Sequence, residues 1–210
     1  MKNMETEFKW DANVPRAFAR MRRAVEQAAG QASPRGAVQL AICDVYLDTP
    51  DSAFEKQQIA FRVRCCAGQW QATFKTRTEV KNGKAVRREE TLELPGVKNL
   101  KEALSFLNQK KRWKNLPLQQ LRPLFKLTNR RTVQLLSFPS LEAELAFDQC
   151  TLYVAGRKVQ MKEIELELKK GKASALEALA RQLTQQSGLS YMRVSKVKTA
   201  CGLLKLWGEK

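Results

Sequence analysis

Alternation with a period of two dominates the chain, and it marks strands, because successive side chains on a strand point to opposite faces. In the opening segment, residues 4–10, Glu5, Glu7 and Lys9 fall on one face and Thr6, Phe8 and Trp10 on the other. The same rhythm returns at about 38–48, 59–66, 69–78, 86–94, 123–136, 140–154 and 157–169. Helical spacing separates some of these runs. Residues 14–29 read as a helix with Asp11 or Asn13 as candidate N-cap and Gly30 as its stop. Short helices are predicted at about 99–111 and 117–122, a longer one at 173–187 closed by Gly188, and a last one over 191–207. The Asn82–Gly83 pair is a hairpin signal. With no repeat, low-complexity tract or linker, residues 1–210 read as one α+β domain.

The polar faces of these strands are unusually charged. Arg62 and Arg64 share a face, as do Lys75 and Arg77, and Arg87, Glu89 and Glu93. Glu142, Glu144 and Asp148 align, and Glu163, Glu165, Glu167 and Lys169 form one face opposite Ile164, Leu166 and Leu168. Two architectures produce this pattern. One is an antiparallel sheet with a wet face. The other is a closed barrel of about eight strands whose charged faces look inward and whose apolar outer faces are covered by helices. Like charges at adjacent positions of one face favour the barrel, because such clusters cost stability unless a counter-ion or ligand resolves them.

Composition narrows the chemistry. Apolar residues are 43% of the chain, ordinary for a folded domain. No apolar run approaches the roughly 18 residues of a membrane span, and MKNMETEFKW lacks the apolar stretch of a secretory signal. The expected compartment is the cytoplasm, with no membrane partner. Five cysteines without CxxC spacing read as reduced thiols, not as a disulfide framework or a zinc site. Histidine is absent, so a metal would be held by carboxylates, which favours Mg²⁺ or Mn²⁺. The net charge of +17 draws polyanions. Nucleic acid is disfavoured among them, because the few aromatic residues are not interleaved with the basic ones along the sequence.

At this point the chain resembles the CYTH, or triphosphate tunnel metalloenzyme, family. ETEFKW (5–10) matches its opening ExExK signature. VYLDT (45–49), FRVR (61–64), ATFKTR (72–77), RREE (87–90), LRPLFKLTNRR (121–131), ELAFDQ (144–149), EIELELKKG (163–171) and SKVK (195–198) follow in the family's order. The closing element departs from the pattern: SK is usually followed by Arg-Gly, whereas SKVKTACG has no arginine and offers Lys198 instead. The resemblance implies an eight-stranded antiparallel closed β-barrel, a tunnel with a charged interior flanked by helices. It also implies divalent-metal chemistry on a triphosphate.

Carried onto this chain, the resemblance assigns Lys9, Arg62, Arg64, Lys75, Arg77, Arg87, Arg130 and Lys196 to the triphosphate. In the basic strand, Lys126 and Arg130 share one face and Arg131 the other, so parity alone leaves the inward residue open. Glu5, Glu7, Asp148, Glu163 and Glu165 are the expected ligands of Mg²⁺ or Mn²⁺, and Glu5, Glu7 and Lys9 the expected catalytic group. The expected reaction is hydrolysis of inorganic tripolyphosphate to pyrophosphate and phosphate. Two alternatives stand: a class IV-type adenylate cyclase on the same scaffold, and a module that binds polyphosphate without turnover.

Overall fold

The computed structural model describes residues 2–29, 36–76, 79–81, 83–110 and 117–208. The strands are β1 (Lys2–Asp11), β2 (Val38–Asp48), β3 (Ala60–Cys66), β4 (Gln69–Lys75), β5 (Glu79–Lys81), β6 (Lys84–Glu93), β7 (Arg122–Phe138), β8 (Leu141–Val154) and β9 (Arg157–Gly171). The helices are α1 (Ala17–Ala29), α2 (Ala53–Lys56), α3 (Leu100–Asn108), α4 (Ala173–Ser187) and α5 (Lys196–Gly208). All strand pairings are antiparallel, in the order β1-β9-β8-β7-β2-β3-β4-β6, and β6 pairs back onto β1. Eight strands thus close a barrel, and β5 is a short addition on β6.

The register decides which face is the lumen. Directly opposed residues share a face, so the pairs Glu5↔Arg87, Lys9↔Glu165, Glu163↔Asp148, Asp148↔Arg131, Asp44↔Arg64 and Lys75↔Glu89 put charged side chains on the inward face of all eight barrel strands. The opposite faces are apolar and covered. α1 and α4 lie on Phe8, Trp10, Leu145, Phe147, Ile164 and Leu166, all buried. α3 and the α2 turn cover Leu47, Phe61, Val63 and Ala72. The charged faces therefore look inward because the apolar ones have helices to bury against.

One end of the lumen changes character. Leu127, Cys150, Leu152 and Met161 continue the inward faces of β7, β8 and β9, and α5 packs across them through Val197, Ala200, Cys201 and Leu204. The final helix, expected from residue 191, begins at Lys196. Before it, Tyr191 bridges to Trp10 and lays its ring within 2.3 Å of where a side chain on Gly83 would begin. Gly83 also has a φ of +79°, so both the turn and the ring exclude any other residue. Asn82 lies outside the described residues. Asp11 and Asn13 do not cap α1: Asp11 accepts from the Asn13 backbone at 2.9 Å, and Asn13 accepts from the Lys162 backbone at 2.8 Å, tying the chain to β9. Gly188 ends α4 as expected, with a φ of +61°. All five cysteines are free thiols.

Asp48, in the VYLDT element, is buried, and its carboxylate is committed to backbone N–H groups. It accepts hydrogen bonds from the backbone N–H groups of Thr49, Phe54 and Glu55 at 2.7, 2.8 and 2.9 Å, so it organises the turn into α2. Asp48→Ala leaves these buried donors unpaired. Thermal unfolding is expected to report a loss of about 2–3 kcal/mol, and an unchanged midpoint would contradict this role.

Candidate functional site: opposed acidic and basic walls in the tunnel

The acidic wall is built by β8 and β9. Register sets Asp148 beside Glu163, and Glu165 is the next inward residue. The three are buried, with carboxylate oxygens all within 4.8 Å of one another. Three cations hold this triad together. Lys196, the first residue of α5, lies 2.8 Å from Asp148, 2.5 Å from Glu163 and 3.4 Å from Glu165. Arg131 makes a fork onto Asp148, with both bonds at 2.7 Å, and reaches Glu165 at 2.5 Å. Lys9 lies 2.5 Å from Glu165 and 3.1 Å from Glu7.

The electrostatics follow from this crowding. Burial works against the charged forms of Lys9 and Lys196, but the surrounding carboxylates outweigh it and hold both ammonium groups above their ordinary value. Burial also opposes ionisation of Asp148 and Glu165, yet Lys196, Lys9 and Arg131 keep both well ionised. Glu163 behaves differently. Burial, helped by the neighbouring Glu165 carboxylate, pushes its carboxyl up to about 8 against the pull of Lys196. Neither Glu163 oxygen has a well-directed hydrogen bond.

This makes Glu163 a cost in the metal-free protein. A group raised in the folded state contributes its full stability below its unfolded value, near 4.5, and loses it as pH rises through about 8. With EDTA present, the wild-type protein should lose stability between pH 5 and 8, while Glu163→Gln should not show that component. The gap at pH 8 is expected to be a few kcal/mol. Parallel pH profiles for the two proteins would contradict this.

Glu5 and Glu7 stand on β1 beside the triad but are not part of it. Glu5 pairs with Arg87 and lies 3.6 Å from Lys75. Glu7 lies 2.7 Å from Arg87 and 3.1 Å from Lys9. Despite burial, Lys75 and Arg87 hold the Glu5 carboxyl well below the usual carboxylate range.

The basic wall comes from β3, β4 and β6. Asp44 on β2, buried, grips Arg64 with two bonds of 2.7 and 2.8 Å. Lys75 lies 2.6 Å from Glu89, and burial together with Arg62 and Arg87 pushes its ammonium down to about 8. Arg62 is the least committed cation. Its contacts with Asp44 and Glu89 are long, 3.6 and 4.0 Å, and its buried Nε has no hydrogen-bond partner. Between the walls lies a cavity of about 1050 Å³, lined by Glu5, Glu7, Lys9, Arg62, Glu165 and Lys196 among others.

Arg77 lies outside the described residues. Arg130 faces outward and is exposed, because the register that sets Arg131 against Asp148 turns the preceding side chain to the other face. Arg131, Asp44 and Glu89 are lumen residues beyond those assigned from sequence. Glu89 was visible in its parity with Arg87, whereas Asp44 and Arg131 become lumen residues only through their strand partners. Lys198, set against the missing arginine, is exposed and borders the cavity.

A closed antiparallel tunnel thus sets an acidic wall opposite a basic one across a single cavity. Residues 3–201 match the CYTH domain, and the chain belongs to that family. It is 28% identical over 155 residues to the inorganic triphosphatase of Haemophilus influenzae, covering 74% of this chain and 44% of that protein. The chain thus spans under half the length of that relative. Two solved structures share the fold. A candidate adenylyl cyclase from Hippeastrum, described as having a dominant triphosphatase activity, superposes with a TM-score of 0.63 at 14% identity, covering 96% of this chain and 95% of that one. A candidate adenylate cyclase from Bacillus halodurans gives 0.61 at 18% identity, covering 94% and 97%.

Proposed function

We propose that this tunnel hydrolyses a short triphosphate, inorganic tripolyphosphate first, to pyrophosphate and phosphate with the help of Mg²⁺ or Mn²⁺. The observation that carries this reading is the separation of charge across the cavity: an acidic triad on β8 and β9 faces Arg62, Arg64, Lys75 and Arg87 on β3, β4 and β6. The first wall weakens the hold on a polyanion alone, and the second the hold on a cation alone. A triphosphate together with a divalent ion satisfies both.

The triad fits a hard cation. Its donors are all carboxylate oxygens, and the buried Glu163 oxygens lack a directed donor. Asp148, Glu163 and Glu165 would hold the ion, with Glu5 and Glu7 as further donors from β1. Bound there, Mg²⁺ or Mn²⁺ supplies neutralisation of the charge that builds on phosphate oxygens during transfer. The chain's own residues do the rest. Arg62 offers its free fork to two phosphate oxygens, and Arg64 and Arg87 orient the neighbouring groups. Lys9 and Lys196, now paired with the triad, are released toward phosphate when the triad's charge is compensated. With no histidine in the chain, a carboxylate of the Glu5/Glu7 pair orients the attacking water by accepting a hydrogen bond from it, and the water's proton ends on the departing phosphate. Water adds to the terminal phosphorus, the anhydride bond breaks, and pyrophosphate leaves.

The deciding experiment is a product analysis over tripolyphosphate, pyrophosphate, ATP, thiamine triphosphate and long-chain polyphosphate, with each metal. Tripolyphosphate is expected to be cleaved with clear preference over ATP, and 3′,5′-cyclic AMP should not form. A cyclic AMP peak that grows with time, matched by equal pyrophosphate, would replace hydrolysis with cyclisation. Tight binding without product would leave a binding module.

A further inference from the structure

The outer surface of β7, β8 and β9 carries a second feature, independent of the lumen. α1 and α4 cover this sheet over Phe147 and Ile164, and among the described residues the outward side chains beyond them are exposed or half-buried. Strand register arranges nine outward side chains there in three rows: Lys126–Tyr153–Lys158, Thr128–Thr151–Gln160 and Arg130–Gln149–Lys162. None is acidic. The four cations are exposed, and none pairs with a carboxylate among the described residues. Tyr153 lies between two of them, with Lys126 and Lys158 at 5.8 and 5.6 Å from its ring centre. Arg22 of α1, over the Phe147 ring, borders the same surface.

We infer that this face binds single-stranded nucleic acid. Two cationic rails, Lys126/Arg130 on β7 and Lys158/Lys162 on β9, stand about 10 Å apart, and the two cations of each rail, four residues apart, are about 13 Å from one another along the strand. Between them runs a strip of Gln149, Thr151 and Tyr153. The rails suit a phosphate backbone, the amides and hydroxyls can hydrogen-bond base edges, and the tyrosine ring offers a stacking surface. An anionic membrane fits less well, because its binding sites need apolar side chains to insert. The exposed large apolar residues, Met4, Val14, Val38, Val194 and Leu206, all lie off this patch. Along the sequence the aromatic residue is far from most of these cations. The interleaving that nucleic-acid binding requires arises only across strands.

The test is fluorescence anisotropy with a labelled 20-nucleotide single-stranded oligonucleotide bearing no terminal phosphate, in EDTA and saturating tripolyphosphate, so that the tunnel is occupied. Wild-type protein should bind, and log affinity should fall linearly with log salt. Lys126→Glu/Lys158→Glu is expected to weaken binding more than tenfold and to flatten the salt slope by roughly 1.4. Tyr153→Ala should weaken it at least fivefold. Triphosphate hydrolysis by both variants should be unchanged. Unaltered oligonucleotide binding by either variant would overturn the assignment, as would abolition of binding by tripolyphosphate. Binding to phosphatidylglycerol vesicles without binding to the oligonucleotide would overturn it in favour of a membrane.

Discussion

Replacing Arg62 with alanine is expected to weaken tripolyphosphate binding roughly 30- to 150-fold, about 2–3 kcal/mol for a lost charge-assisted contact. The size of the effect follows from its surroundings. Arg64 is already clamped by Asp44, and Arg131 by Asp148, so each gains less from a new phosphate. Arg62 has only long contacts and a buried Nε without a partner, and a phosphate oxygen there would satisfy a donor that is otherwise unmet. Calorimetry in EDTA isolates this term, because the metal is absent and the substrate survives. Arg62→Lys should recover part of the loss, since it restores the charge without the fork. Exposed Lys110, at the end of α3, is the control, and Lys110→Ala should change binding by less than twofold. Equal losses at both positions would mean that the chain acts through its diffuse +17 charge and not through a built site.

Strand parity made much of this arrangement legible in advance. Glu5, Glu7 and Lys9, and likewise Glu163 and Glu165, were assigned to shared faces from a period of two alone, and the register agrees. Parity cannot say which face is inside. At Arg130 and Arg131 adjacent residues of one type compete, and only the pairing of β7 with β8 decides between them. Nor does parity reveal partners distant in sequence. Asp44 matters because β2 lies beside β3, and the separation of Glu5 and Glu7 from the triad follows from Arg87 arriving opposite Glu5. From the sequence a helix is expected over 191–207. The bridge of Tyr191 to Trp10 and the bond from the Met192 backbone N–H to the Lys9 carbonyl tie the start of that stretch to β1, the chain bends at Arg193 and Val194, and the helix begins only at Lys196.

Glu165→Gln is expected to separate binding from turnover. Glu165 is the hub of the acidic wall, touching Lys9 and Arg131 at 2.5 Å and Lys196 at 3.4 Å. The amide fills nearly the same space but cannot carry the charge that a divalent ion requires. Turnover should fall about 10³-fold, the effect of some 4 kcal/mol when one member of a buried charge cluster is removed. Metal-induced stabilisation in a thermal-shift assay should shrink with it. Affinity for tripolyphosphate in EDTA should move the other way. The three cations that Glu165 now engages would meet one carboxylate fewer, leaving more positive charge for phosphate. A merely structural glutamate would instead lower both properties together. Wild-type turnover in the variant, or full wild-type activity in EDTA, would show that the triad is not the metal site and that the acidic wall serves only to anchor Lys9, Arg131 and Lys196.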